Sequence, residues 1–312
     1  MDIIISGIAG LLALKNGDKL IETVQMGAGW VLKPLQQKRM VKATHNALGV
    51  LKNDLLEYNA ELKIEDGKIS IIAKAEATEL EVYQLAMIEK EVRRQINSAN
   101  IIEKTAKILE DKKEISDTPV DKDWTARYFE IVQNISNEDV QFIWSKILAD
   151  EIAKPNSYSF RTLELLKNIT SEEAKTFSKI SGLAFEYGGE ILFPSDDEIL
   201  NKYGFGKEQI WLLEELNLVK NDLTFTCPKN KETQLINKNK FIKIIPNCDY
   251  NFFITKLTKV GKELYNLLTN SENKDIEKYL FDIFDEKCEI YISDIIERYP
   301  EQVRHTDFKK LR

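Results

Sequence analysis

Two groups of residues carry whatever chemistry this chain could perform. The first is Glu151 with Arg161. Glu151 follows Ile147 and Leu148 by four and three residues. On a helix it therefore falls at the margin of an apolar face made by Val140, Trp144, Ile147, Leu148 and Ile152. A carboxylate beside apolar surface needs a charged or hydrogen-bonding partner. Pro155 stops that helix, Ser159 can cap the next, and Arg161 falls in the first turn beyond the cap, within reach of Glu151. The pair reads either as a polar site or as an ion pair locking a helix–loop–helix corner. The corner is favoured, because catalysis needs further convergent groups and none is identifiable.

The second group is basic. Residues 220–262 contain nine lysines against Asp222, Glu232 and Asp249, a net charge of +6, and no arginine. Lys229, Lys231, Lys238, Lys240 and Lys243 could grip a nucleic-acid backbone without reading bases. A solvated lysine-rich loop is the plainer alternative. The preceding residues 195–217 hold six acidic side chains against Lys202 and Lys207, a poor surface to lay beside phosphates.

Other chemistries lack their residues. There is no glycine-rich phosphate loop, no zinc spacing and no nucleophile elbow. His45 and His305 are the only histidines, too few for a multi-histidine metal site. Pairing either with a cysteine has no support in spacing. Asp121 with Asp123, and Asp196-Asp197-Glu198, could hold magnesium, but they crowd helix starts, where acidic side chains favour the dipole. No catalytic residue, metal or cofactor is expected, and the chain reads as non-enzymatic.

The elements that would position these residues follow from periodicity and punctuation. The chain has 312 residues, 43% hydrophobic and 30% charged, with net charge −7 and only 13 Gly and 7 Pro. That is an ordinary globular composition favouring helices. Asp66-Gly67 marks a small hairpin between apolar runs at 62–64 and 69–72. Leu85, Ile88, Val92, Ile96, Ala99, Ile102, Ala106 and Leu109 make a helical stripe within residues 73–113. Such a helix packs along its own body or pairs with a copy of itself. Capping signals place further helices over 119–134, 137–153, 160–168, 171–186 and 195–203. Beyond Pro194, two short helices, strand-like stretches at 223–226, 241–245 and 250–254, and a helix opening at Leu257-Thr258 resemble a winged helix-turn-helix. The tail, 275–311, reads as one or two helices. The expected fold class is mainly α: a multi-helix domain with a long amphipathic helix, followed by a small α+β winged-helix-like module. The expected segments are 1–72 (helical and hairpin), 73–190 (helical core), 191–270 (winged-helix-like) and 271–312 (helical tail).

Cys227, Cys248 and Cys288 form no CxxC pair, which suits a reducing, cytoplasmic setting. No apolar run reaches the roughly 18 residues of a membrane span. Residues 3–14 form the most apolar run and read as a buried first helix, with a membrane anchor or an oligomerisation helix as the alternatives.

One stretch carries a resemblance. Trp144, Lys146, Leu148, Ala149 and Glu151, followed by Pro155, Ser157, Ser159, Arg161, Thr162 and Leu163, are similar to the signature of the bacterial domain-of-unknown-function family numbered 2806. Trp124, Arg127 and Phe129 resemble that family's upstream helix. The resemblance covers about residues 80–220. It implies a bacterial, mostly helical, cytoplasmic protein, of a kind found by association in phage-defence or mobile-element gene sets, and it brings no activity to transfer. The leading expectation is an interaction or scaffold protein that forms a homo-oligomer or binds a protein partner. The alternatives are a nucleic-acid-associated regulator using residues 220–262 and a peripheral membrane effector using residues 3–14.

Overall fold

A computed structural model describes residues 60–65, 68–73, 78–112, 114–268, 275–284, 286–298 and 302–312, with Leu20 and Thr23 as isolated positions. The apolar run at 3–14 lies outside the described residues. The chain divides into two compact units, Met1–Phe160 and Arg161–Arg312.

In the first unit, β1 (Ala60–Glu65) and β2 (Lys68–Ala73) pair antiparallel as a hairpin, with Leu62 opposite Ile71. The 32-residue helix α1 (Glu79–Glu110) packs against β2 and along two further helices, α2 (Lys122–Val132) and α3 (Glu138–Ala153). Its start is a capping box. The Thr78 hydroxyl accepts from the Glu81 N–H, and the Glu81 carboxylate accepts from the Thr78 N–H at 2.7 Å. Asp121 caps α2 and Asn137 caps α3, one to three residues later than the capping signals suggest. Ile101, Ala106 and Leu109 of α1 are buried, as are Trp124 and Tyr128 of α2 and Trp144, Ile147 and Leu148 of α3. Thr105 and Ser145 sit at the α1–α3 crossing, where each hydroxyl returns a bond to a main-chain carbonyl.

The second unit is a mixed sheet-and-helix layer. Helix α4 (Phe160–Asn168) leads into it and α5 (Ser171–Ser181) follows, the latter opened by a Thr170–Glu173 capping box. The strands are β3 (Phe185–Tyr187), β4 (Glu190–Pro194), β5 (Val219–Cys227), β6 (Thr233–Asn237), β7 (Lys240–Pro246), β8 (Tyr250–Leu257), β9 (Cys288–Arg298), β10 (Val303–His305) and β11 (Lys309–Lys310). Helices α6 (Asp197–Lys202), α7 (Lys207–Glu215), α8 (Lys259–Leu267) and α9 (Ile276–Ile283) lie between them in sequence. All nine strands join one sheet, antiparallel at every pairing, in the order β10-β9-β7-β6-β3-β4-β8-β5, with β11 on β9.

This overturns the mainly α expectation, and the winged-helix-like module with it: the fold is mixed α+β. The strands assigned to a small wing are paired into a much larger sheet. The 275–311 tail is helical only through α9. It then returns as β9, which pairs with β7 over Lys240–Pro246. The reason is alternation. Ile242 and Ile244 of β7 and Ile290 and Ile292 of β9 turn to one buried face, while Lys243 and Tyr291 turn to the other. The helix expected over 171–186 also ends early. Gly188 and Gly189, at φ of 55° and 78°, make the tight turn that folds β3 back on β4.

Close approach fixes α8. The Thr258 N–H donates to the Leu218 carbonyl, and a Cβ placed on Gly261 would stand 2.0 Å from that same oxygen. Only glycine fits there.

Candidate functional site

The signature residues build a corner. Helix α3 presents Trp144 inward, where the Tyr128 ring meets it edge-on at 5.7 Å and the Tyr128 hydroxyl donates to the Trp144 carbonyl. Trp124 stacks on the other side of Tyr128 at 5.2 Å, and its indole N–H donates to the Tyr158 carbonyl at 2.8 Å. Those contacts hold the loop that follows Pro155 against the helix end. Glu151 is 2% exposed and accepts from the Asn156 N–H at 2.6 Å and the Tyr158 N–H at 2.9 Å. Asn156 turns the chain at φ 69°. Glu151 thus satisfies two backbone donors in a tight turn, a use of a buried carboxylate that needs no substrate.

Beside it lies a charged cluster. Asp150 pairs with Lys112 at 2.6 Å through Oδ1 and accepts from the Tyr158 hydroxyl at 2.9 Å through Oδ2. Burial lowers the Lys146 pKa below the ordinary lysine range; Asp150 works against that shift and Lys112 adds to it. Arg161 is the second residue of α4, and it is exposed. The adjacent Thr162 is buried, and its hydroxyl donates to the buried Glu263 of α8 at 2.5 Å. Thr162 therefore ties α4 to α8 inside the second unit. Its role has no local signature, because Glu263 lies far along the chain.

The five lysines do not form an open basic stripe. Lys240 pairs with Asp294 at 2.5 Å, and Lys243 lies 3.5 Å from Glu232 and 4.5 Å from the Phe308 ring centre. Lys238, at φ 51°, donates from Nζ to the Leu268 carbonyl at the end of α8 and sits 3.6 Å above the Tyr265 ring. Its own carbonyl accepts from Arg298, which also grips Glu186 at 2.9 Å. Lys229 and Lys231 remain exposed at the turn between β5 and β6.

His305 is placed without a catalytic geometry at Nδ1. That atom lies 2.6 Å from the Thr306 carbonyl and 3.1 Å from the Ser293 hydroxyl. A carbonyl only accepts, so Nδ1 carries the proton and cannot take one from Ser293. Among the described residues, no three His, Cys, Asp or Glu side chains gather as metal ligands, and no helix is long and apolar enough to cross a membrane. Burial raises the Cys227 thiol pKa, which keeps it protonated.

The feature that residue-type searching misses is apolar. On the first turns of α1, Leu80, Tyr83 and Met87 are 66%, 64% and 52% exposed. Their i, i+3, i+7 spacing makes one ridge, on the side of the first turns away from the buried Leu85 and in line, about five turns further on, with the buried Ser98, Ile101 and Thr105. The signal was present in the spacing, hidden by the stronger stripe that starts at Leu85 and, over these first turns, lies on the other face.

No curated protein and no solved structure matches the chain. Over residues 83–281, more than half its length and including the corner built by Trp144, Glu151 and Pro155, it matches the family described as protein of unknown function (DUF2806), and the chain belongs to that family.

Proposed function

We propose that this chain works as a protein-interaction component that assembles through the first turns of α1. The observation that carries this reading is the exposed ridge of Leu80, Tyr83 and Met87. Single exposed apolar residues are ordinary; three in register on one helix face are what a partner surface covers. The signature corner supports the same reading by serving as framework. Glu151 accepts from the Asn156 and Tyr158 N–H groups, and Asp150 pairs with Lys112 and accepts from the Tyr158 hydroxyl. The nucleic-acid alternative draws less support, since Lys238, Lys240 and Lys243 are committed to neighbours.

Photo-crosslinking tests the proposal. A photoreactive residue replacing Gln84, beside the ridge, gives a protein adduct in the expected case. Leu80→Glu with Met87→Glu abolishes that adduct while the circular dichroism spectrum stays unchanged. An adduct that persists in the double variant, or none in either protein, refutes the reading.

A further inference from the structure

The ridge also carries information about what covers it. At 3.6 residues per turn, Leu80, Tyr83 and Met87 fall within a stripe about 60° wide. Glu79 and Lys90 flank that stripe on the Tyr83 side, eleven residues and so about three turns apart. Both are exposed, and among the described residues neither has an ion-pair partner. Their neighbours differ in this respect. Arg93 pairs with Glu89 at 3.3 Å, and Arg94 lies 3.9 Å from Glu91, both within the helix. Beside the ridge, Glu79 and Lys90 therefore stand without an ion-pair partner among the described residues, at opposite ends of the ridge and on one flank.

That arrangement is self-complementary in one direction only. When two helices pair antiparallel, like flanks face each other and opposite ends meet. Setting Tyr83 of one copy against Met87 of the other brings Glu79 opposite Lys90 in the same register to within one residue. It does so twice, by symmetry. Leu80 then rests on the aliphatic stem of Lys90, whose ammonium reaches outward to Glu79. The Tyr83–Met87 contact sets a thioether against an aromatic ring, a favourable pairing. Parallel pairing would instead put the Glu79–Lys90 flank of each copy on opposite sides of the seam, where neither charge meets its complement.

We infer that α1 pairs antiparallel with the α1 of a second copy of this chain, with Tyr83 against Met87 and Glu79 against Lys90 across the two-fold axis. The inference rests on the interaction reading above and names its partner. A ridge of three apolar side chains falls short of the roughly 800 Å² per partner of a standard interface, so the pairing is weak and concentration-dependent.

Sedimentation equilibrium of the full chain, over concentrations up to about 0.5 mM, the range in which a weak interface associates, tests the register. The wild type self-associates. Glu79→Lys and Lys90→Glu each weaken association about five- to tenfold, a typical reach for a like-charge pair set at a contact. The double variant, with the charges exchanged, returns to within about twofold of the wild type, because the exchange restores the attraction. A wild type that stays monomeric throughout overturns the inference. So does a double variant no better than the single ones. If Tyr83→Glu abolishes association while the charge exchange restores nothing, the antiparallel register fails and the assembly surface stands. If Tyr83→Glu alters neither association nor the Gln84 crosslink, both fail.

Discussion

Glu151→Gln separates a framework carboxylate from a reactive one. Glu151 is buried, and its two oxygens each accept a backbone N–H, from Asn156 at 2.6 Å and Tyr158 at 2.9 Å. Glutamine keeps the shape but has one acceptor oxygen. Whichever way the amide is turned, its NH₂ faces one of the two N–H groups. One charge-assisted bond is lost and one buried donor is left unpaired, together about 3 kcal/mol, with each part worth about 1–3. At a urea m-value near 2 kcal/mol/M, that lowers the unfolding midpoint of the first unit by about 1.5 M. Fluorescence reports it directly, because Trp124 and Trp144 both lie against this corner. Glu130→Gln, on an exposed position of α2, serves as the control and stays within about 0.5 kcal/mol, as surface substitutions do. A midpoint shift for Glu151→Gln no larger than the control's would refute the framework reasoning. It would mean that the carboxylate is held for something other than the turn.

Gly261→Ala sets a Cβ 2.0 Å from the Leu218 carbonyl oxygen, so α8 must move; a loss of about 3 kcal/mol, at the upper end of overpacking, is expected in thermal unfolding. Lys238→Met loses the bond to Leu268 and the charge above Tyr265, costing about 1–3 kcal/mol, whereas Lys229→Met at the exposed turn changes stability by less than about 0.5. Denaturant titration of the two variants distinguishes them. The Glu190 pKa is depressed below its usual 4.5, first by the hydrogen bond from Lys262 at 2.6 Å and then by that from Lys256 at 2.9 Å. A depressed carboxylate adds stability that is present above pH 4.5 and disappears as pH falls through its folded value. Glu190→Gln is therefore less stable than the wild type at pH 7, by under about 1 kcal/mol for so exposed a pair, and equal to it well below pH 4, as measured by urea midpoints across pH.

What was legible in the sequence was local. The α1 stripe, the Asp66-Gly67 hairpin and the Thr170–Glu173 capping box depend on residues a few positions apart, and each stands where periodicity and cap chemistry put it. The sheet depends on distant pairing. Phe241 to Ile245 looks like a strand from any window, but nothing near it says that its neighbour is Glu289 to Ser293 rather than a short wing. A two-residue period identifies a strand and its two faces; it does not identify the partner, and so the size of the sheet was invisible.

The surroundings of the lysines depend on distant pairing in the same way. A charge count over residues 220–262 sees nine lysines and three acids. It cannot see Asp294, which β9 brings from 54 residues away to within 2.5 Å of Lys240. Nor can it see the end of α8, whose Leu268 carbonyl takes the Lys238 ammonium. The β7–β9 register puts Lys240 opposite Asp294 and Lys243 opposite Tyr291, so the strand order decides which charges face solvent alone and which face a partner. Net charge over a stretch of sequence therefore says little about field once the stretch is a strand inside a sheet. On α1 the opposite holds. A helix sets its own i, i+3 and i+4 neighbours, so which charges are already matched can be read along the chain. Glu89–Arg93 and Glu91–Arg94 close on themselves, Glu79 and Lys90 do not, and the unmatched pair brackets the exposed ridge.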